Sequence, residues 1–207
     1  MNDLINKIES LKKSEIKIKI DSRIQEFKNQ NKKPIDDIFK ELCFCILTAN
    51  FNAEKSIKIQ DEIGNYFLTD NKDELSKKLK DYGHRFPNKR AQYISESLRC
   101  KDKLKYVLKS NDKKAIRDWI VNNIEGMGYK ESSHFLRNIG FNDYAIIDFH
   151  IIDILFSHNL IKKPKTMTKK KYLEIENILK KLAKETNLTL AELDLYLWYI
   201  ETGKILK

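Results

Sequence analysis

The chain has 207 residues, and its 40 Lys and Arg outnumber its 30 Asp and Glu, giving a formal net charge of +10. This length can bury a sizeable core, and the charge favours a polyanionic partner, either nucleic acid or an acidic membrane surface, although abundant Glu beside Lys also fits ordinary solvated helix surface. No stretch approaches the roughly 18 apolar residues of a membrane span, and the N-terminus lacks the apolar core of a signal peptide, so we expect an intracellular protein with no membrane partner.

Glycine and proline are scarce, at six and three residues, and most segments have apolar residues at helical spacing, which predicts an all-α protein. The first helix is predicted over residues 2–13. Within residues 14–30 the run EIKIKI is compatible with a local strand, and we expect helix beyond residue 21. Pro34 is well placed to open the most apolar helix, over residues 36–49, which should be buried because it is apolar on nearly all sides.

The three cysteines do not form a recognisable metal or disulfide pattern. Cys43, Cys45 and Cys100 are too few and wrongly spaced for a disulfide framework, a structural zinc site or a four-cysteine cluster. Cys43 and Cys45 lie in the apolar run and are expected to be core residues. We therefore predict no metal site.

Two asparagines, Asn50 and Asn52, follow the apolar helix in an exposed turn. Turn formation and N-capping are the ordinary uses of Asn at such a position. Helices are predicted next over residues 53–67 and 71–82, the second with Glu74 in capping-box position.

Residues 81–90 are predicted to form a loop in which cations lie beside aromatic rings. These side chains are Arg85, Lys89, Arg90, Tyr82 and Phe86. The combination is typical of contacts with single-stranded nucleic acid or a flipped base. A plain loop marked by Gly83 and Pro87, with its cations exposed, is the alternative.

After a predicted helix over residues 91–108, two further helices are expected to form a hairpin. The first spans residues 112–123, and Gly126 and Gly128 then break it, because glycine allows positive φ and close backbone approach. The second spans residues 129–138. Free amides at its N-terminus, joined to the Gly-x-Gly turn, would bind a nucleic-acid backbone without reading its sequence, although most such turns only connect helices.

Lys130 opens the second helix of this hairpin, and Asp148 lies 18 positions later in an apolar run. An aspartate before a new helix is expected to be an N-cap. Its apolar neighbours would also leave the carboxylate partly desolvated, which is typical of functional or tightly bonded groups.

The C-terminal part is predicted to contain a lysine-rich connector and two helices. The connector covers residues 160–171, Thr168 caps a helix that runs to residue 184, and a capping box starts a last helix that ends at Gly203. Trp198 on that helix is expected to lie in the core by default. Alternatively, its indole and the terminal carboxylate of Lys207 face a cleft, although most C-termini have no such role.

The segment IEGMGYK at residues 124–130, followed by Asp148, resembles the helix-hairpin-helix motif and aspartate of the base-excision DNA glycosylase superfamily. The resemblance implies two helical lobes flanking a cleft, with Lys130 as nucleophile and Asp148 as essential carboxylate. It also places phosphate contacts at His150 and at the hairpin glycines Gly126 and Gly128. We expect a single domain over residues 1–207, with a central lobe at about 34–159 that holds the hairpin (112–139) and a second lobe made of 1–33 and 160–207.

Within the superfamily, the segment HRFPNKRAQYI, the C-terminal lysine and the lack of a four-cysteine iron–sulfur loop resemble the archaeal and bacterial second-type 8-oxoguanine DNA glycosylases. The resemblance implies excision of 8-oxoguanine and strand cleavage by β-elimination. It assigns gap filling to Asn50 or Asn52, and base or DNA contacts to Arg85, Trp198 and Lys207.

The expected partner is damaged double-stranded DNA with a flipped base, bound by a monomer. No cofactor is required, although several relatives hold a monovalent cation at the hairpin. Two alternatives stay open: an endonuclease III-like glycosylase for oxidised pyrimidines, and a non-catalytic helix-hairpin-helix module that binds DNA shape.

Overall fold

The structure, a computed structural model, describes residues 1–207 and is entirely helical, which confirms the predicted all-α fold. It contains twelve α-helices and one 3₁₀ helix, Gly64–Leu68. The α-helices are α1 Asn2–Leu11, α2 Glu15–Gln30, α3 Ile35–Thr48, α4 Ala53–Ile63, α5 Lys72–Asp81, α6 Pro87–Leu98, α7 Lys101–Val107, α8 Lys113–Asn123, α9 Tyr129–Asn138, α10 Phe149–Ser157, α11 Lys169–Glu185 and α12 Leu190–Thr202.

The chain divides into two compact units, one made of residues 1–29 and 136–207 and the other of residues 30–135. These boundaries differ from the sequence-based lobes, which were drawn at residues 33 and 159. Because α10 packs against α12, the chain after residue 135 groups with the C-terminal helices.

The run EIKIKI lies in α2, so the local strand that its alternation allowed does not form. A strand would place Ile16, Ile18 and Ile20 on one face. Only Ile20 is buried, together with Ile24 and Phe27 at helical spacing, whereas Ile18 is 72% exposed. Burial of that helical stripe decides the conformation.

Helix α3 forms the core of the unit made of residues 30–135. Every residue from Ile38 to Thr48 except Lys40 is buried, as its composition predicted. Cys43 and Cys45 are fully buried, and burial raises the pKa of the Cys43 thiol well above its usual value. Both cysteines are therefore core residues, as predicted.

Three predicted boundaries were wrong. The loop placed at residues 81–90 is shorter, because Pro87 begins α6 and puts Lys89 and Arg90 in the first helical turn. The single helix expected over 91–108 is two helices, α6 and α7. The helix expected over 53–67 changes to the 3₁₀ form at Gly64.

Side chains cap several helices at their N-termini, including the predicted cap at Thr168. Asn52, Asn71, Asp112, Thr168 and Thr189 each accept a hydrogen bond from a backbone N–H in the first turn of the following helix. Glu192 completes the capping box at Thr189, and Gly203 ends α12 with a φ of +69°. Each cap contributes about 1 kcal/mol to helix stability.

Candidate active site

The hairpin between α8 and α9 turns at Gly126, which has a φ of +84°. A Cβ atom at this position would lie 2.5 Å from Cδ2 of Tyr93, so the turn also needs the absence of a side chain. Gly128 does not have a positive φ, so only Gly126 uses the backbone freedom that glycine allows. A Cβ at Gly128 would lie 3.2 Å from a carboxylate oxygen of Glu131.

Side chains from both helices hold the hairpin together. Arg117 on α8 donates from Nη1 to Oγ of Ser133 on α9 at 3.2 Å, and its guanidinium lies 5.1 Å from the centre of the Tyr129 ring. The Tyr129 hydroxyl in turn hydrogen-bonds to the Asp118 carboxylate. The first turn of α9 is therefore fixed to α8 at several points.

Lys130 lies in this first turn, with 26% of its side chain exposed. Its Nζ is 3.9 Å from Oε1 of Glu131, whose side chain is 19% exposed. The amine is thus partly buried beside a carboxylate and at the positive end of α9. A lysine acts as a nucleophile through its neutral amine.

Asp148 is the N-cap of α10, as predicted: its Oδ1 accepts a hydrogen bond from the Ile151 N–H at 3.0 Å. The carboxylate is half-buried and follows four buried residues, 144–147. Helix α11 anchors this segment, because the Tyr172 hydroxyl donates to the Ala145 carbonyl at 2.7 Å and lies 3.2 Å from the Ile147 N–H. Lys130 belongs to the unit of residues 30–135, and Asp148 belongs to the other unit.

His150 and Trp198 are in contact on the unit that contains Asp148. Their ring centres are 4.7 Å apart in an edge-on arrangement, and the Phe149 ring, which is 66% exposed, lies 3.9 Å from His150. The indole Nε1 of Trp198 is buried without a hydrogen-bond partner, although the residue is partly exposed. Lys207 is also partly exposed.

The two candidate gap-filling asparagines differ. Asn52 caps α4 by accepting from the Lys55 N–H at 2.9 Å, whereas Asn50 is exposed and has a φ of +57°. Arg85 is exposed in the loop before α6, and its guanidinium lies 5.0 Å from the centre of the Phe86 ring.

The sequence analysis assigned no role to His84, Tyr93 and Glu131, which contact these candidates, and it placed Arg90 among the exposed cations of a DNA-contacting loop. His84 and Arg90 are buried, and Tyr93 packs over the hairpin glycine. Burial lowers the pKa of Arg90, while the nearby Tyr93 and Glu131 raise it. Glu131 was identifiable as the neighbour of Lys130, but the contacts of the other three join residues far apart in the chain.

No group of three or more His, Cys, Asp or Glu side chains is arranged to hold a metal ion. None of the helices is both long enough and apolar enough to span a membrane.

The all-helical fold with its glycine-turned α8–α9 hairpin is that of the helix-hairpin-helix DNA glycosylases. Residues 20–188 match a family model described as 8-oxoguanine DNA glycosylase. The chain belongs to the 8-oxoguanine DNA glycosylase family, which confirms the resemblance noted in its motifs.

Archaeal and bacterial relatives cover nearly the whole chain. A protein of Methanocaldococcus jannaschii named 8-oxoguanine DNA glycosylase/AP lyase is 57% identical over 205 residues, which are 99% of each chain. A Korarchaeum cryptofilum protein of the same name is 44% identical over 209 residues, or 100% of this chain and 99% of that one.

Two solved structures have the same fold. The M. jannaschii 8-oxoguanine glycosylase/lyase in complex with a 15mer DNA containing 8-oxoguanine superposes with a TM-score of 0.96, at 56% identity and 99% coverage of both chains. The 8-oxoguanine DNA glycosylase of Thermotoga maritima gives 0.94, at 41% identity and coverage of 100% of this chain and 99% of that chain.

Proposed function

We propose that this protein is a bifunctional DNA repair enzyme that excises 8-oxoguanine and then cleaves the strand by β-elimination. The observation that carries the proposal is a partly buried Lys130 at the start of α9, in a chain 57% identical to a relative named 8-oxoguanine DNA glycosylase/AP lyase. A lyase needs an amine that can form an imine with the sugar, and a lysine in a hairpin that binds the DNA backbone meets that need.

The substrate is damaged duplex DNA, bound by a monomer of the enzyme. The hairpin turn at Gly126 and Gly128 grips the backbone through free amides, with His150 as a further phosphate contact. The lesion must leave the base stack, which costs a few kcal/mol. Asn50 is the better candidate for filling the vacancy, because the Asn52 side chain already caps α4.

The chemistry starts with attack of the neutral Lys130 amine on C1′ of the lesion nucleotide. The N–C1′ bond forms as the glycosidic bond breaks, and the base leaves with the electron pair and takes up a proton. Opening of the sugar ring gives an imine, and loss of the 2′ proton then expels the 3′ phosphate. The Asp148 carboxylate stabilises the positive charge that develops at C1′. These steps require no cofactor.

Borohydride trapping tests the role of Lys130. Reduction of the imine should leave wild-type protein covalently attached to DNA that contains 8-oxoguanine, whereas Lys130→Gln should bind the same DNA and give no adduct. The conservative replacement removes the amine and keeps a polar side chain of similar length. Undiminished trapping by Lys130→Gln would assign the nucleophile to another residue.

Two substitutions separate the capping and chemical roles of Asp148. Asparagine is as good an N-cap as aspartate, so Asp148→Asn should keep its stability and lose base excision, whereas Asp148→Ala should also lose about 1 kcal/mol of stability. Single-turnover excision and urea denaturation measure the two effects. Near-normal excision by Asp148→Asn would leave the residue with the capping role alone.

Base recognition is assigned to Trp198 and to the terminal carboxylate of Lys207. A partly exposed indole that contacts His150 offers a surface for stacking a purine. Guanine lacks the N7–H of 8-oxoguanine, so one acceptor for that N–H supplies much of the discrimination. Deletion of Lys207 should lower the preference for 8-oxoguanine over guanine, and an unchanged preference would refute this assignment.

Three duplexes test the substrate class directly. The wild-type protein should release the base and cut the strand in a duplex with 8-oxoguanine, and should leave undamaged DNA intact. Preferential cutting at thymine glycol would indicate a glycosylase for oxidised pyrimidines. Binding without any cutting would indicate a non-catalytic DNA-binding protein.

A further inference from the structure

Two buried side chains from one segment bind the carbonyl groups at the end of α3. The last carbonyls of a helix have no partner within the helix and must be satisfied from elsewhere. Here the Leu47 carbonyl lies 3.1 Å from Nε2 of His84, and the Ala49 carbonyl accepts from Nη2 of Arg90 at 2.5 Å. The end of α3 is thus tied to residues 82–90, which lie about 40 positions further along the chain.

His84 uses both ring nitrogens in this contact. Its Nδ1 accepts a hydrogen bond from the Phe86 N–H at 3.1 Å, so the proton is on Nε2, which donates to Leu47. The imidazole packs on the Phe51 ring with centres 4.2 Å apart and is only 4% exposed. We call this set the His84 clamp: the imidazole, the Leu47 carbonyl, the Phe86 amide and the Phe51 ring.

The clamp joins two segments that carry exposed candidate DNA contacts. Asn50 lies next to Phe51 in the turn after α3, and Arg85 lies between His84 and Phe86. The side chains of Asn50 and Arg85 are exposed. The residues beside them are anchored, because the buried His84 imidazole packs on Phe51 and hydrogen-bonds to the Phe86 amide. An element fixed in this way moves as one piece, which preorganises the groups it carries.

We propose that His84 is a positioning residue that holds the Asn50 turn and the Arg85–Phe86 loop as one rigid DNA-contacting piece. Filling of the gap and displacement of the lesion base are then coupled. This inference rests on the proposed function, since it concerns how the same enzyme extrudes its substrate base. A preformed abasic site has no base to extrude, so His84 matters for excision from an intact duplex and much less for strand cleavage at an abasic site.

Three substitutions separate the parts of the clamp. His84→Phe keeps a flat ring on Phe51 and removes both hydrogen bonds, His84→Asn keeps an acceptor near the Nδ1 position, and His84→Gln keeps a donor near the Nε2 position. Because His84→Phe removes the hydrogen-bond partner of the buried Leu47 carbonyl and of the part-buried Phe86 amide, it should lower kcat/KM for 8-oxoguanine excision by about tenfold or more. Cleavage of a preformed abasic site should change by less than about threefold, and Asn and Gln should each restore part of the excision.

A fluorescent 2-aminopurine opposite the lesion reports base displacement separately from chemistry. The fluorescence rise that follows mixing should be slower for His84→Phe than for wild type.

Leu104→Ala is the control for lost stability, because Leu104 is fully buried in α7 and belongs to neither segment. It should lower the melting temperature without changing the ratio of excision to abasic-site cleavage.

Equal loss of both reactions in His84→Phe, or unchanged excision, would overturn the positioning role. If His84→Phe is poorly folded, His84→Asn and His84→Gln still test the proposal. Each of them keeps one hydrogen bond of the clamp and should therefore restore part of the excision. Absence of excision by the wild-type protein would instead refute the proposed function on which the clamp depends.

Discussion

Asp148 combines a structural contact with a proposed chemical role. One oxygen of its carboxylate caps α10 by accepting a hydrogen bond from the Ile151 N–H. Such contacts restrict the side chain before any substrate is bound, which lowers the entropic cost of using it in a reaction. The same contacts mean that loss of activity after substitution is informative only when stability is measured alongside it.

Gly126 gives a direct stability prediction at the residue scale. Gly126→Ala should destabilise the protein by about 1–2 kcal/mol through its positive φ alone. The collision of the new methyl group with the Tyr93 ring adds to this cost. Gly83→Ala is the matched control, because Gly83 has a φ of +72° and nothing within 4 Å of a Cβ position. Urea denaturation of both variants should show the larger loss at Gly126, and equal losses would mean that Tyr93 moves aside freely.

His84 predicts a pH dependence of stability. Burial lowers its pKa in the folded protein below the usual 6.5, partly opposed by the hydrogen bond to Leu47 and supported by the Arg90 charge. As pH falls through about 6.5, the unfolded chain takes up a proton that the folded chain does not, so the free energy of unfolding should decrease. Above that pH the contribution is fully present. Denaturant titrations across this range should show a weaker decrease in His84→Asn, and identical curves for both proteins would contradict the prediction.

At the element scale, patterns of residues close together in the chain predicted the structure well. Contacts between residues far apart in the chain could not be predicted. Helix α9 spans residues 129–138 as expected, because a glycine turn precedes it and Gly140 follows it. That local pattern placed Lys130 in the first turn of the helix, and the resemblance of residues 124–130 to the family motif implied its role as nucleophile. The His84 clamp was not, because its carbonyl partner lies 37 positions away and a backbone carbonyl has no sequence signature. The same limitation applies to Arg90, which was assigned to an exposed loop and is buried in α6.

A buried ion pair joins α9 to α12. Arg137 and Asp194 are 4% and 9% exposed, and their charged groups are in direct hydrogen-bonding contact. Asp194→Leu leaves the buried guanidinium without its counter-charge and should cost about 3–5 kcal/mol, whereas Arg137→Met combined with Asp194→Leu should recover most of that loss. Urea denaturation of the single and double variants measures the coupling. If the double variant were less stable than Asp194→Leu alone, the unpaired Arg137 guanidinium would not be the cause of the lost stability.

At the scale of the whole molecule, the net charge of +10 should strengthen DNA binding without affecting the chemical step. Binding that neutralises DNA phosphates releases counterions, so affinity for duplex DNA should fall steeply with salt, with a logarithmic slope of about 0.9 for each phosphate contacted. Base release within the bound complex depends on Lys130 and Asp148 and involves no counterion release. The single-turnover excision rate at saturating enzyme should therefore change little between about 50 and 200 mM salt, while affinity falls by about a thousandfold if six phosphates are contacted. Fluorescence anisotropy and quenched-flow excision on the same duplex measure the two quantities. A parallel decline of both would mean that salt also disturbs the extruded complex, and the charge would then contribute to the chemical step as well as to binding.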